Sequence, residues 1–576
     1  MRLLIGLFVV LAAPSLARAQ APTITGQPQS MTVTTGQRAY FIVYDISSCG
    51  LILPHWQFNG VYIEDGPTYT GTHTGVLYVN NATPTQAGSY RVVIPCANGT
   101  GTTISNAATL TVNSTGTPSG LAPIIALLAW SGCTSTGCTI WWRGINGAIN
   151  AKKLTLTPYG GASIDVTGLT QYSVNPTSTT VYTLTASNAA GTFAQNVVVP
   201  VGPSTSVAHC REITSPGNYL VTTSIGTSSL TTPCLNVHDT HNVFIRSNPG
   251  VVISGTGGWY GSGTTGGAIR FSNVNDFALN GCTLLARQNG NYCTFVNASV
   301  GAVSGNIFGS PSTTFGQSMQ LFTSNYITFA ANTVFDAVTA DHCTGLAFTG
   351  NTIANRASYE TPGNVVVVSG SGNQILGNRI DGGRGIAVGG GVDDGIVPSD
   401  ESGDLIAYNA IRNCRDAGIE QFGALQNTLM YENSVANSNF GISAWYGLSL
   451  RGCQIEGNRI ISMPTGGPVH PVGFSFRYVS LPGRSSAYFE NNTFRKNTVV
   501  NSAYANPSEF LNNGYVLPPS AWVIRNNRFS GNDFGSGVAA PIFFSNPYMP
   551  GVATDDGGNS CTHPVPYPPG YPLNCR

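Results

Sequence analysis

Between residues 364 and 461 apolar and polar positions recur as a phrase: NVVVVSGSGNQILGNRI, GIAVGG…LIAYNAI, GIEQFGALQNTLMYENSV, GISAWYGLSLRGCQIEGNRI. Each phrase is a short β-rich run, a polar turn, a second β-rich run, and then Asn-x-(Ile/Val). Asn378, Asn409, Asn433 and Asn458 hold the same place, 31, 24 and 25 residues apart. A period of this size marks one supersecondary unit stacked on itself rather than a conventional core. The unit is too short for a propeller blade and has no helical period. The pattern therefore predicts strand–turn–strand coils winding into a right-handed parallel β-helix over residues 205–547, followed by a Pro/Gly-rich wrap at 548–576.

Upstream the punctuation changes. Over residues 22–112, short alternating runs at Met31 to Val33, Ala39 to Val43 and Trp56 to Phe58 are separated by Gly/Pro/Asn turns. Asn59-Gly60 is a hairpin signal, and Gln86 to Val92 has the form of a tyrosine corner. After a Ser/Thr/Gly/Pro linker, residues 121–202 carry further strand patterns at Thr139 to Trp142 and Val174 to Asn188. Both stretches resemble immunoglobulin-like domains, found in tandem in exported bacterial enzymes and adhesins. The resemblance implies two β-sandwiches, with a spacer role the simplest reading. It departs from the family at the inter-sheet disulfide, where Val43 and Val92 stand instead of cysteines.

Composition sharpens this picture. Charged residues are 9% of the 576, with 25 basic against 25 acidic, while apolar residues reach 41%. The chain has no basic footprint for nucleic acid, and it has enough apolar content to fold. Arg2, the apolar run Leu3 to Leu16 and Ala17-Arg18-Ala19 read as a signal peptide over residues 1–19. The expected location is outside the cell, secreted or at its surface, and no later run is long enough to span a membrane. Export permits disulfides among the 13 cysteines. Local pairs to consider are Cys49–Cys96, Cys133–Cys138, Cys210–Cys234, Cys282–Cys293, Cys414–Cys453 and Cys561–Cys575, with Cys343 left over.

The recurring asparagines (Asn306, Asn332, Asn351, Asn378, Asn409, Asn433, Asn458, Asn492, Asn527) read as a turn ladder rather than a binding site. An Asn amide satisfies turn backbone groups and tolerates left-handed geometry. Cys282 takes that place in the coil beginning at Gly266. Ile353, Ile380, Ile411, Val435, Ile460 and Phe494 are expected to stack inside.

Chemistry is expected on the outward columns. Aligning coils on Gly385, Gly418, Gly441 and Gly473 points Ile386, Ile419, Ile442 and Phe474 inward. One outward column then holds Ala387, Glu420, Ser443 and Ser475; the next holds Gly389, Phe422, Trp445 and Arg477. Phe422, Trp445, Tyr446 and Tyr478 form a candidate substrate-binding patch, since aromatic faces suit sugar rings. Residues 392–404 concentrate acidic side chains in a segment expected to bulge as a loop beside this face, with Asp381 and Asp416 near it. Asp393, Asp394, Glu420, Arg477, His470 and Arg384 are the candidate catalytic groups. Asp393, Asp394 and Asp400 are a candidate Ca²⁺ set.

From the first coil at Cys210 onward the chain resembles the pectate-lyase-like β-helix superfamily. That resemblance implies work on an extracellular polysaccharide, a uronate-rich one among the candidates. A hydrolase needs two carboxylates about 5 Å or 6.5–9.5 Å apart; a lyase needs a base and a neutraliser of the uronate. Of the polygalacturonase-like motifs only Asp393-Asp394 is present, and Asp341-His342 keeps a fragment of the uronan-epimerase motif. The alternative is a non-catalytic adhesin or carbohydrate-binding structural β-helix. The oligomeric state is not legible in the sequence.

Overall fold

The computed structural model describes residues 24–34, 39–46, 54–66, 68–80, 82, 84–95, 102–113, 123–134, 137–144, 149–189 and 191–256. Beyond these it describes 266–286, 290–310, 317–335, 337–354, 366–382, 394–438, 440–461, 472–479, 487–500, 522–534, 542–544, 553–556 and 559–561. The chain divides into two compact units, residues 1–121 with 143–150, and residues 122–142 with 151–576.

The first unit is built from two main sheets. One runs Met31–Thr34, Ala108–Asn113, Gly88–Pro95, His55–Phe58, Val61–Tyr62; the other runs Ala39–Ile42, Val76–Val79, Tyr69–Thr70. Trp56, Tyr90, Phe41, Leu77 and Val92 fill the space between. The tyrosine corner is present: Tyr90 Oη donates to the Gln86 carbonyl at 2.8 Å. Val43 and Val92 are both fully buried in this core, so packing stands where the family has its bridge.

In the second unit a sandwich comes first. Its sheets are Ile125–Thr134, Gly137–Gly144, Gln171–Val174 and Ile164–Asp165, Lys153–Pro158, Thr180–Asn188, Gly191–Val199. The last two strands lie against the outside of the coils that follow. Val181 and Val198 pack on Phe244, Ala278 and Ala302, an outward column in direct register from coil to coil. The alanines leave room for the valines. Asn196 closes the seam, its backbone N–H donating to Thr328 Oγ1 at 2.7 Å and its amide to the Gly301 carbonyl at 3.2 Å.

Among the described residues from Ser204 onward every sheet pairing is parallel, the signature of a β-helix. A typical coil has three strands, for example Val366–Ser371, Gln374–Leu376 and Arg379–Asp381. The first two belong to one continuous 26-stranded sheet and the third to a 13-stranded sheet. Inward residues repeat in register: Phe348, Ile375, Ile406, Met430, Ile455, Phe494 and Phe529 form one buried column. Phe494 and Phe529 stack with centroids 4.6 Å apart and planes 5° from parallel, the spacing that adjacent strands impose. Each coil can bury its apolar face only against its neighbours.

The asparagines sit at the corner before the third strand. Asn409 Oδ1 accepts the backbone N–H and the amide of Asn378, both at 3.0 Å. Its own amide donates to Asn433 Oδ1 at 2.9 Å and to the Ile375 carbonyl at 2.7 Å. The same four-bond pattern runs from Asn332 to Asn532 and leaves no polar atom of these amides unmatched. Cys282 heads the ladder as expected, its N–H donating to Asn306 Oδ1 at 2.9 Å.

Two expectations need correction. After Asn458 the ladder continues through Asn497, Asn532 and Asn559, not Asn492 and Asn527. Those two belong to a second ladder at the preceding corner, with Asn373, Asp404 and Cys453. Phe494 accordingly stacks under Ile455, while Val499 follows Ile460. The cysteine pairings also differ. Cys210–Cys234 is bonded and Cys138 is disulfide-bonded, but Cys282, Cys293, Cys414 and Cys453 are free and buried, as is Cys343. Corner geometry explains most of this. The thiols of Cys282, Cys343, Cys414 and Cys453 each reach the carbonyl two residues back, at 3.4–3.6 Å, and that of Cys453 is shared with the Leu425 carbonyl of the preceding coil, so each is directed at a backbone oxygen. Cys49, Cys96 and Cys575, and the side chains of Cys133 and Cys561, lie outside the described residues.

Candidate functional site

Register fixes the phase of the coils that carry the candidate chemistry. Ile396, Ile419, Ile442 and Phe474 pair in succession and all enter the core. The glycine before Ile419 is required by packing, since a Cβ at Gly418 would stand 2.2 Å from Val435 Cγ1. The coil before Gly418 therefore begins at Gly395, not Gly385. Residues 383–393, with Arg384, Ile386, Ala387, Gly389 and Asp393, lie outside the described residues, as does His470.

This phase overturns the acidic loop. Ile396–Ser402 is a strand, paired with Val366–Ser371 on one side and Ala417–Gln426 on the other. Its carboxylates go to three different places. Asp400 is exposed, takes φ 50°, and accepts the Ala424 N–H at 2.8 Å beside Gly423. Glu401 turns inward between Gly370 and Leu425 and is buried. Asp404 fills a corner of the second ladder. Asp381, at its own corner, is held by Arg412 Nε at 2.8 Å and by the Asn413 amide at 2.9 Å.

Asp394, two residues before the strand, joins a different set. One oxygen each from Asp394, Asp416 and Glu420 lie within 4.8 Å of one another. Asp394 also accepts the Ala417 N–H at 3.0 Å, which ties it to the turn carrying Asp416. Glu420 follows inward Ile419, so it faces away from the core as predicted. The column is not open, however: Glu420 is 4% and Ser443 1% exposed. The proposed Ca²⁺ set also divides. Asp394 and Asp400 stand at opposite ends of an extended run, roughly 20 Å apart at ~3.3 Å per residue. The oxygens that do converge are those of Asp394, Asp416 and Glu420, an all-carboxylate donor set that suits a hard cation.

The aromatic column is offset from its prediction. Phe422, 37% exposed, pairs with Tyr446 rather than Trp445, and Tyr446 pairs with Val479. The strand Phe440–Arg451 holds two more residues than Ala417–Gln426 between the same two pairings, and it absorbs them in bulges. Bulges re-aim side chains beside binding sites. A further register shift, against the strand Val472–Val479, leaves the Trp445 backbone opposite Arg477 and Tyr478, between the pairs Ala444–Phe476 and Tyr446–Val479. The backbone thus gathers Phe422, Trp445, Tyr446, Arg477 and Tyr478 at one level of three consecutive coils. Asp341 and His342 form an exposed ion pair at 2.7 Å on an earlier coil.

Two features escaped sequence reasoning. One is the buried Glu401–Asp404 pair, hidden because carboxylates are read as surface. The other is a uncharged cleft of about 460 Å³ where the second sandwich meets the coils. Thr185, Phe193, Tyr326, Thr344 and Ser371 line it, together with Gln374, whose buried Oε1 has no hydrogen-bond partner. No local motif announces a cleft made by two domains.

A family-model match agrees with the coil architecture. Residues 316–468 and 364–541 match the family model described as "Right handed beta helix region". No curated protein matches the chain. The solved structure "Sidekick-1 immunoglobulin domains 1-5" is 21% identical over 31% of this chain and 41% of its own length, with a TM-score of 0.19. The N-terminal Ig1-2 module of the Drosophila receptor protein tyrosine phosphatase DLAR is 20% identical over 32% of this chain and all of its own, at 0.15. I81 from titin is 23% identical over 16% of this chain and 97% of its own, at 0.14. The chain spans less than half the length of the five-domain Sidekick-1 structure.

Proposed function

We propose that this right-handed parallel β-helix protein, led by immunoglobulin-like domains, is exported and binds and cleaves an extracellular polysaccharide. The observation that carries the reading is the convergence of Asp394, Asp416 and Glu420 within 4.8 Å, two residues along the strand from exposed Phe422. Glycoside cleavage needs a carboxylic acid to protonate the leaving oxygen and a second carboxylate to attack or to activate water, at about 5 Å for retention. The cluster offers both partners at close to that spacing. Asp416, the most open of the three, meets the substrate first. Phe422, Trp445, Tyr446 and Tyr478 are the candidate sugar-stacking residues, since aromatic faces suit sugar rings. Arg477, Arg384 and His470 are the candidate clamps for a uronate carboxylate. Ca²⁺ held by the three carboxylates is the candidate neutraliser if the reaction is an elimination.

The test is incubation of the full chain with a broad glycan panel that includes pectin and alginate. New reducing ends without absorbance near 235 nm mean hydrolysis, and absorbance there means elimination. Glu420→Gln and Asp394→Asn should each lower the rate at least ~100-fold, within the range that acid–base groups contribute. No product from any glycan removes the cleavage reading.

Binding without cleavage is the second reading, and the uncharged cleft favours it. Hydroxyls, one amide acceptor and the rings of Phe193 and Tyr326 suit a neutral sugar, and no carboxylate lines the cleft. Its volume falls in the range of ligand pockets, about 300–1,000 Å³. Glycan pull-down that survives Glu420→Gln and fails in Gln374→Leu supports it.

A further inference from the structure

The first unit holds a cluster that the glycan reading does not use. The hairpin Asn59-Gly60 takes left-handed φ angles of 49° and 84° and joins strand His55–Phe58 to Val61–Tyr62. Pairs Phe58–Val61 and Gln57–Tyr62 set the register, and the Ile63 N–H continues it by donating to the Trp56 carbonyl at 3.1 Å. Two residues on the same ladder place His55 opposite Glu64. A second device brings in His73. Asp65 Oδ1 accepts both the N–H and the hydroxyl of Thr72 at 2.8 Å, and the Trp56 N–H donates to the Thr72 carbonyl at 2.9 Å. The chain after Thr72 is thereby pinned beside the start of the His55 strand. The result is convergent: His55 Nε2 lies 3.2 Å from Glu64 Oε1, His73 Nε2 lies 3.0 Å from Glu64 Oε2, and the imidazole centroids are 4.2 Å apart.

We propose that His55, Glu64 and His73 bind a divalent transition-metal ion of the zinc, copper and nickel class. Three arguments support this. The donor types are right, since two imidazoles and a carboxylate prefer borderline ions over Ca²⁺ or Mg²⁺. The spacing is right, since ligand atoms at ~2.0–2.1 Å from a tetrahedral ion stand about 3.3 Å from one another. The support is right, since the strand at His55, the Ile63–Trp56 bond and the Asp65–Thr72 bonds fix the backbone that carries the three side chains. Three protein ligands leave one position for water or a ligand atom, the arrangement of an open site. His55 Nε2 also lies 3.1 Å from the Ile63 carbonyl oxygen. Metal binding would require its lone pair, with the ring proton on Nδ1. The competing account is two surface ion pairs sharing the 71%-exposed Glu64, which would need no metal.

Calorimetric titration of the full chain with Zn²⁺ alone, and separately with Cu²⁺ alone, distinguishes these. The expected result is one saturable site, weakened at least tenfold by His73→Ala and by Glu64→Gln. Both changes are at accessible side chains outside the Trp56–Tyr90 core, and unchanged thermal unfolding of the metal-free variants verifies that they fold. The Cu²⁺ resonance spectrum should show hyperfine coupling from two imidazole nitrogens in the native chain and from one in His73→Ala. No saturable binding, or equal affinity and the same spectrum in native and variant chains, overturns the proposal.

Discussion

Asp404 Oδ1 accepts the backbone N–H of Asn373 at 2.6 Å, filling with a carboxylate a corner where Asn492 and Asn527 use an amide. Its other oxygen and both oxygens of nearby Glu401 are buried without a partner of hydrogen-bonding geometry. Burial first, and then the Asp404 carboxylate, push Glu401 well above the ordinary carboxylate range. Burial raises Asp404 to about 6. Both folded-state values exceed their unfolded ones, so the pair's contribution is fully present below about pH 4 and is lost as pH rises through 6 and beyond. The difference in urea midpoint between Glu401→Gln and the native chain should therefore grow in favour of the variant from pH 4 to pH 8. A gain of about 1–3 kcal/mol at pH 8 is the scale for relieving one buried unmatched group. A difference that shrinks with pH would show the pair to be ionised at no cost.

The asparagine ladder makes a sharper demand on chemistry than on size. Asn409→Ala strands the N–H and amide of Asn378, at about 1–3 kcal/mol for each unsatisfied buried group. Asn409→Asp keeps the acceptors but sets a carboxylate oxygen against the Ile375 carbonyl and Asn433 Oδ1, where an amide now donates. At pH 7 the aspartate variant should be at least as unstable as the alanine variant. It should recover toward pH 4, where a protonated acid donates one of those bonds. Denaturant midpoints of the two variants across that range decide it.

Thiol chemistry checks the cysteine assignment. Burial pushes the thiols of Cys282 and Cys453 up to about 12 and that of Cys343 up to about 11, so thiolate is scarce at neutral pH. A thiol reagent should leave Cys282, Cys293, Cys343, Cys414 and Cys453 unlabelled in the native chain and label all five once it unfolds. A non-reducing peptide map should recover Cys210 linked to Cys234. Recovery of a Cys414–Cys453 peptide would contradict the corner geometry.

In the first unit, Tyr90→Phe removes the hydroxyl that reaches the Gln86 carbonyl and leaves the ring in the core. The expected loss is about 1 kcal/mol, the net value of one such bond, read as a lower thermal midpoint for that unit.

Much of the architecture was legible because its periodic elements are satisfied locally. The asparagine corners and the inward isoleucines repeat one demand between every pair of neighbouring coils, and the tyrosine corner answers its own within four residues. What misled was a second period inside the first. Corners occur in pairs five residues apart: Asn373 and Asn378, Asp404 and Asn409, Cys453 and Asn458, Asn492 and Asn497, Asn527 and Asn532. Counting only one Asn per coil slipped the last coils by that interval. That spacing would have identified Asp404 as a corner residue and taken Ile396–Ser402 out of the loop. The candidate site was less legible. Glu420 and Asp394 were found from charge in a charge-poor chain, whereas the offset of Trp445 depends on bulges that composition does not show.

The ladder also has consequences for how such a chain can lengthen. Each rung receives from the rung before and gives to the rung after, and the rungs are separated by anything from 19 to 39 residues. The five-residue link between paired corners stays constant while the remainder of the coil absorbs the variation. A duplicated coil inserted between Asn306 and Asn532 would meet matching donors and acceptors on both of its faces. Coil number is therefore a quantity that gene duplication can change one step at a time, while the arcs between corners diversify without disturbing the spine.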